Sequence, residues 1–407
     1  MAGLDSIVIV GAAQAGGRAA QALRANGFDG RLVLVGDERW LPYERPPLSK
    51  QLLMGEGGLE KVQLHDHGFY EQKAIELWLG ERVTAIDAKA RQVRIASRTI
   101  GYDRLLLATG ARPRALGLPG EGLAGVRYLR TLDDSDAIRS ALMPGARVVV
   151  VGGGFIGLEV AASARTRGSA VTVIELADRL MGRAVAREVS AYYEDLHRAK
   201  GVEIRLGARP SRIEGAGRVE RIVLADGGSV AADLVVIGVG IVPNVELAAE
   251  AGLAVDNGVV VDEFGLSSDP HIHAAGDVAS QPSPFLGRRV RLESYENAQN
   301  QAMAVARNML GQEAAYHDRL WNWTDQYHIN LQILGLPREW DRLVWRGDRA
   351  DGSFTVFYML GGRIVAVNTV NNGKELKTAE RLMVSRHHFE PEQLADPAVN
   401  LRKLLAA

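Results

Sequence analysis

Val148-Val149-Val150-Val151-Gly152-Gly153-Gly154-Phe155-Ile156-Gly157 decides the fold: an apolar run, a glycine cluster, then a stretch suited to a helix. A turn of this kind carries the chain from a buried strand into a helix whose N-terminal amides collect anionic phosphate. Gly152 makes the tight turn, Gly154 lets backbone approach a pyrophosphate, and Gly157 lets helix and strand pack closely. Glu175 ends the next apolar run, Ala170-Val171-Thr172-Val173-Ile174, where a carboxylate accepts hydrogen bonds from ribose hydroxyls.

The pattern occurs a second time near the N-terminus. Ile7-Val8-Ile9-Val10-Gly11-Ala12-Ala13-Gln14-Ala15-Gly16 is followed by Arg31-Leu32-Val33-Leu34-Val35-Gly36-Asp37. Gly11, Gly16 and Asp37 match, but Ala13 stands at the middle glycine position, where its methyl should push the backbone or select a different loop. Either turn alone could be a strand–helix corner with no ligand. A repeat, each copy with its acid, points to two βαβ units and two nucleotide-binding domains with parallel sheets.

Working outward, Tyr102–Gly110 and Ala232–Gly240 read as buried strands, and Ile272–Val278 as a short strand ending in Gly276-Asp277. Ala298–Leu310 reads as a helix. From about Asp318 the texture changes to alternating runs such as Phe354–Tyr358 and Arg363–Val367, which suggest antiparallel strands. Trp321 and Trp323 alternate along such a strand, so one of them is expected in the core. The fold class is α/β: two Rossmann-like dinucleotide-binding domains, an arrangement that resembles the glutathione-reductase-like architecture, plus a C-terminal α+β domain. The expected boundaries are 1–112 and 243–318 for one dinucleotide-binding domain in two parts, 113–242 for the other and 319–407 for the C-terminal domain.

Composition removes several classes. The 407 residues are 47% hydrophobic, enough for more than one core, and the net charge of -1 argues against a nucleic-acid partner. No uninterrupted apolar stretch approaches the roughly 20 residues of a membrane span. No targeting signal opens the chain, so a cytoplasmic location is expected. The histidine pairs lack metal-ligand spacing, and no metal is expected. There is no cysteine, which excludes a redox thiol pair, a reactive thiol and a thiolate-held iron–sulfur cluster.

Together with Arg45-Pro46-Pro47-Leu48-Ser49-Lys50, Ala108-Thr109-Gly110, Ala275-Gly276-Asp277 and Trp323-Thr324-Asp325-Gln326, these motifs give the chain its resemblance. Over essentially its whole length it resembles the FAD-dependent NADH:ferredoxin reductases of bacterial P450 and Rieske-type oxygenase systems. The resemblance implies FAD and NADH as cofactors, with residues 1–112 and 243–318 as the FAD-binding domain and 113–242 as the NAD-binding domain, and a small [2Fe-2S] ferredoxin as partner. Rubredoxin or another acceptor, or an apoptosis-inducing-factor-like NADH-responsive role, are the alternatives it leaves. It implies that Gly11, Ala15 and Gly16 cradle the FAD pyrophosphate, Asp37 the adenosine ribose, and Val83 the adenine through its backbone. Arg130 and Asp277 are implied at the pyrophosphate and ribityl region, and Tyr295 over the flavin ring. Lys50 is implied beside the flavin, Glu159 near the nicotinamide and Trp323 at the flavin's exposed edge. Arg45, Ala108, Thr109, Gly110, Ile156, Arg183 and Gly238 complete the implied cofactor sites. A helix-surface carboxylate is the plain alternative for Glu159, and a helix cap for Asp277. The clusters Arg288, Arg289, Arg291 and Lys374, Lys377 are candidate docking patches for an acidic partner.

Overall fold

The computed structural model describes residues 4–317, 319–336 and 338–405; the expected boundary at residue 318 and both chain ends lie outside the described residues. The chain divides into two compact units. Unit 1 comprises Met1–Pro47, Gly57–Arg112 and Ile241–Asp318, and unit 2 comprises Leu48–Glu56, Pro113–Gly240 and Arg319–Ala407. Among the described residues no helix is long and apolar enough to cross a membrane.

In unit 1 the strand Ser6–Val10 pairs in parallel with Arg31–Gly36 on one side and Arg104–Leu107 on the other. Ile75–Leu79 and Ile272–Ala274 extend this to a 5-stranded sheet. Both faces are covered, which is why its strands are continuous Val/Ile/Leu runs rather than alternating ones. Ile7, Ile9, Leu32 and Leu34 pack with Ala19 and Leu23 of the helix Gln14–Ala25 and with Ala302 and Val305 of the helix Tyr295–Met309. Val8, Val10, Val33 and Val35 pack on the other face with Val93, Ile95 and Val278. The helix expected from Ala298 begins at Tyr295, because the Ser294 side chain accepts the Asn297 N–H and caps it there.

Burial, with the charge of Arg104 adding, lowers the pKa of His273 in the strand Ile272–Ala274 to about 4. In the unfolded chain the imidazole titrates near its ordinary value of about 6.5. The folded state therefore favours neutral His273. Its contribution to stability is complete above about pH 6.5 and is lost as pH falls from there through about 4. Denaturant unfolding between pH 4 and 7 should show a shallower pH dependence in His273→Leu than in wild type. An unchanged slope would contradict this assignment.

Unit 2 contains the second parallel sheet. Arg147–Val151 pairs with Ala170–Ile174 and Leu234–Ile237, and Glu203–Arg205 and Val126–Tyr128 complete five strands. The C-terminal segment forms an antiparallel sheet in the order Trp321–Gln326, Ile329–Leu334, Arg363–Val370, Ser353–Leu360, Arg342–Asp348. Its core is continuous with that of the nucleotide-binding segment: Val150, Leu158 and Tyr193 share one buried cluster with Ile329, Phe354 and Tyr358. The Tyr358 hydroxyl ties the two by accepting the Ala186 N–H at 2.8 Å and donating to Asn368.

Candidate active site

Unit 1 carries the first cradle. Gly11 has φ +113°, and a Cβ there would stand 2.1 Å from the Ala108 carbonyl oxygen, so no side chain fits. A Cβ on Gly16 would stand 1.8 Å from the Gly11 carbonyl oxygen, so helix and strand meet backbone to backbone. The helix Gln14–Ala25 has no side-chain cap and no acid in its first turn, which leaves its N-terminal N–H groups to an anion. The expected disturbance at Ala13 does not occur. Its backbone, at φ -98° and ψ -154°, is extended like that of its counterpart Gly154 at φ -83° and ψ -176°. An extended residue tolerates a Cβ, so the turn needs glycine where φ is positive, as at Gly11, or where backbone closes on it, as at Gly16.

Around this cradle, Asp37 follows its strand, exposed and 3.3 Å from Arg82. Arg45 donates to Glu38 at 2.7 Å and to the Tyr43 hydroxyl at 3.0 Å. Val83 is buried at the start of the strand Val83–Asp87. The Thr109 hydroxyl donates to the Asn244 carbonyl at 2.8 Å, and the Asn244 amide returns a 2.8 Å bond to the Thr109 carbonyl. This pins Ala108-Thr109-Gly110 beside Gly11. Asp277 lies in a 3-10 turn, Gly276–Val278, rather than capping a long helix, and its carbonyl accepts from Arg291 at 3.2 Å. Tyr295 donates its hydroxyl to Glu44 at 2.7 Å; burial, then that carboxylate, raises its pKa.

Unit 2 carries the second cradle. A Cβ on Gly152, at φ +110°, would stand 2.3 Å from the Gly238 carbonyl oxygen, and one on Gly157 would stand 2.0 Å from the Gly152 carbonyl oxygen. A Cβ on Gly154 would meet nothing within 4 Å: the space before the helix Phe155–Thr166 is open. That helix also begins without a side-chain cap or an acid. Glu175 is held by the Gly153 N–H at 2.6 Å and the Ala177 N–H at 2.7 Å. Each of its oxygens keeps a lone pair for a further donor such as a ribose hydroxyl. Arg183 is exposed, with a guanidinium nitrogen 3.9 Å from where a Cβ on Gly240 would be. Ile156 is 47% exposed beside the open space. Arg130 belongs to unit 2 and Asp277 to unit 1. The open space, the bare helix start and the anchored acid fit a dinucleotide pyrophosphate and ribose in unit 2. The bare helix start and glycine turn of unit 1 fit a pyrophosphate likewise.

Unit 2 also holds a buried ionic cluster. Glu159 is only 2% exposed, not a carboxylate on the helix surface. Its Oε1 accepts from Lys50 Nζ at 2.8 Å and from Thr324 Oγ1 at 2.7 Å, and its Oε2 from Ser49 Oγ. Lys50 follows the 3-10 turn Pro46–Ser49 and keeps 13% of its side chain exposed. Its ammonium is 5.9 Å from the Trp323 ring centroid. The expectation that one tryptophan is core is corrected: Trp321 and Trp323 are both half-buried and stack at 5.0 Å and 18°. Residues two apart on a strand share a face, so the rings cover each other rather than the interior.

The two basic clusters differ in what surrounds them. Arg291 is drawn into contacts with Glu293 and the Asp277 carbonyl, and Arg289 binds the Val261 carbonyl. Lys374 and Lys377 are exposed on the helix Gly373–Ser385, whose Glu375 and Glu380 pair with Arg346 and Arg319. Sequence reasoning passed over Ser49, Thr324, Gln326 and His197. The first three lie inside motifs already singled out, whereas His197 carries no spacing signal.

Residues 5–302 match the family model described as pyridine nucleotide-disulphide oxidoreductase, and residues 321–405 match the reductase C-terminal model. The chain is 46% identical to the ferredoxin–NAD(+) reductase component of the anthranilate 1,2-dioxygenase system of Burkholderia cepacia, over 98% of this chain and 99% of that one. It is 42% identical to rhodocoxin reductase of Rhodococcus erythropolis, over 98% of this chain and 94% of that one. A chain of the covalent putidaredoxin reductase–putidaredoxin complex superimposes with a TM-score of 0.95 at 42% identity, covering 99% of this chain and 98% of its own.

Proposed function

Because this chain belongs to the pyridine nucleotide-disulphide oxidoreductase family, we propose that it is an FAD-dependent NADH:ferredoxin reductase that supplies a P450 or Rieske-type oxygenase. The observation that carries this reading is a glycine cradle in each unit of a chain that has no cysteine. Two dinucleotides can be held, yet no disulfide can pass electrons on, so the acceptor must be outside the chain. The ferredoxin–NAD(+) reductase component of the anthranilate 1,2-dioxygenase system, which this chain matches end to end, supports ferredoxin as that acceptor. The cytoplasm, where NADH and ferredoxin are both found, is the proposed location.

FAD, when bound, supplies a centre that takes a hydride and gives up its electrons singly. The chain's own residues bind and orient. Gly11, Ala15 and Gly16 receive the pyrophosphate of FAD, with Asp37, Arg45, Val83, Thr109, Asp277 and Tyr295 along its length. Gly152, Gly154 and Gly157 receive that of NADH, with Glu175 on its ribose and Ile156 and Arg183 beside it. Glu159 anchors Lys50, so a fixed positive charge is available where the reacting ring gains electron density. Trp323, backed by Trp321, offers a flat face that limits water. Per turnover, one NADH and two oxidised ferredoxins give NAD+, a proton and two reduced ferredoxins.

Purified protein should be yellow with one FAD per chain. With NADH it should reduce ferricyanide directly, and cytochrome c rapidly only when a [2Fe-2S] ferredoxin is added. FMN in place of FAD, or cytochrome c reduction that ignores ferredoxin, would overturn the reading.

A further inference from the structure

We infer that Gln326 and His197 are positioning residues that hold Glu159, and through it Lys50, by a one-way chain of hydrogen bonds inside unit 2. The inference rests on the NADH-oxidising reading above and gives a role to two residues that it leaves without one.

The direction of each bond follows from the one before it. The Glu159 carboxylate can only accept, so the Thr324 hydroxyl donates to its Oε1 at 2.7 Å. The Thr324 oxygen is then an acceptor for the Gln326 amide N–H at 3.2 Å. That turns Gln326 Oε1 toward His197 Nε2, 2.8 Å away, so Nε2 carries the proton. Nδ1 is left bare and accepts the Tyr327 hydroxyl at 3.3 Å. Burial lowers the pKa of His197, which keeps the neutral, singly protonated ring that this order requires. Thr324, Gln326 and His197 are each 0% exposed, so water cannot stand in for a lost partner. Hydrogen bonds aligned in one sense polarise one another.

The chain reaches the charge through one atom. Lys50 and Thr324 both bind Oε1 of Glu159, so the place of Thr324 sets the place of the oxygen that holds the ammonium. Thr324 and Gln326 belong to the strand Trp321–Gln326, His197 to the helix Arg187–Ala199 and Glu159 to the helix Phe155–Thr166. Three elements distant in sequence are thereby locked to a single carboxylate. Gln326 and His197 reach Glu159 through Thr324, so they act by position.

The test is Gln326→Leu, nearly equal in size but unable to bond. Stopped-flow reduction by NADH should show the limiting rate reduced about tenfold or more, with the NADH Kd within about threefold of wild type and FAD content unchanged. Nitrogen-15 NMR of histidine-labelled oxidised holoenzyme should show His197 as the neutral Nε2–H tautomer in wild type and as a mixture in Gln326→Leu. Thr324→Val should reproduce both changes and Thr324→Ser reverse them, which also covers misfolding of Gln326→Leu. An undiminished limiting rate in folded, flavin-loaded Gln326→Leu overturns the inference, as does a cationic or Nδ1–H His197 in wild type. Parallel losses of rate, NADH affinity and FAD content would mark a merely structural role and overturn it too. A wild type that NADH cannot reduce would sink the proposed function, whereas the His197 tautomer, read without NADH, still decides the chain.

Discussion

Wild-type enzyme is expected to prefer NADH over NADPH by more than about tenfold in kcat/KM, and Glu175→Ala to shrink that preference mainly by losing NADH activity. The structure makes Glu175 a stiff acceptor. The Gly153 and Ala177 N–H groups hold its two oxygens at 2.6 and 2.7 Å, so the carboxylate cannot swing away from an incoming phosphate. On the ribose of NADPH, a hydrogen bond is lost and like charges face each other in a half-buried site. Together these cost about 2–3 kcal/mol, or roughly 30- to 150-fold. Arg183 is exposed and could turn toward a phosphate, but Arg179 is engaged with the Gly182 carbonyl at 2.8 Å. One mobile cation offsets a fixed carboxylate only in part, because an exposed side chain pays entropy and is screened. Steady-state kinetics with both coenzymes, in wild type and Glu175→Ala, decide the matter. Equal use by wild type would assign the choice to the arginines.

The second large effect separates the two cradles. Gly152→Ala should leave a yellow protein that dithionite bleaches but NADH hardly reduces, and Gly11→Ala should yield protein without flavin that still binds NAD+. Each glycine sits at strongly positive φ, +110° and +113°, where a side chain is strained. Each Cβ would also stand about two ångströms from a backbone oxygen, of Gly238 in one case and Ala108 in the other. Backbone cannot step aside as a flexible side chain can, so the turn that presents the helix start must open. Strain of about 3 kcal/mol alone converts to roughly 150-fold weaker binding. Absorbance at the flavin band and calorimetric titration with NAD+ read the two sites independently. Loss of both ligands in both variants would mean that the cradles do not bind separately.

Much of this was legible in the chain because it is local. A glycine at positive φ, an apolar run and an acid one strand later are neighbours in sequence. Two such units point to the parallel sheets, the glycine turns at Gly11 and Gly152 and the acid Glu175 after its strand. The lack of cysteine by itself excludes thiol chemistry, since no fold can supply a missing sulfur. The tertiary structure alone decided what depends on residues far apart meeting. Ala13 proved harmless because its backbone is extended, a property of the finished turn. Trp321 and Trp323 turned to each other because the strand Trp321–Gln326 left that face half-open. Glu159 became a buried anchor because Ser49, Lys50 and Thr324, more than a hundred residues away on either side, close on it. His197 joined that network without any motif, since a buried hydrogen bond needs only geometry and a partner. Spacing along the chain encodes turns and phosphate cradles; long-range packing alone chooses which polar side chains face one another in the dry interior.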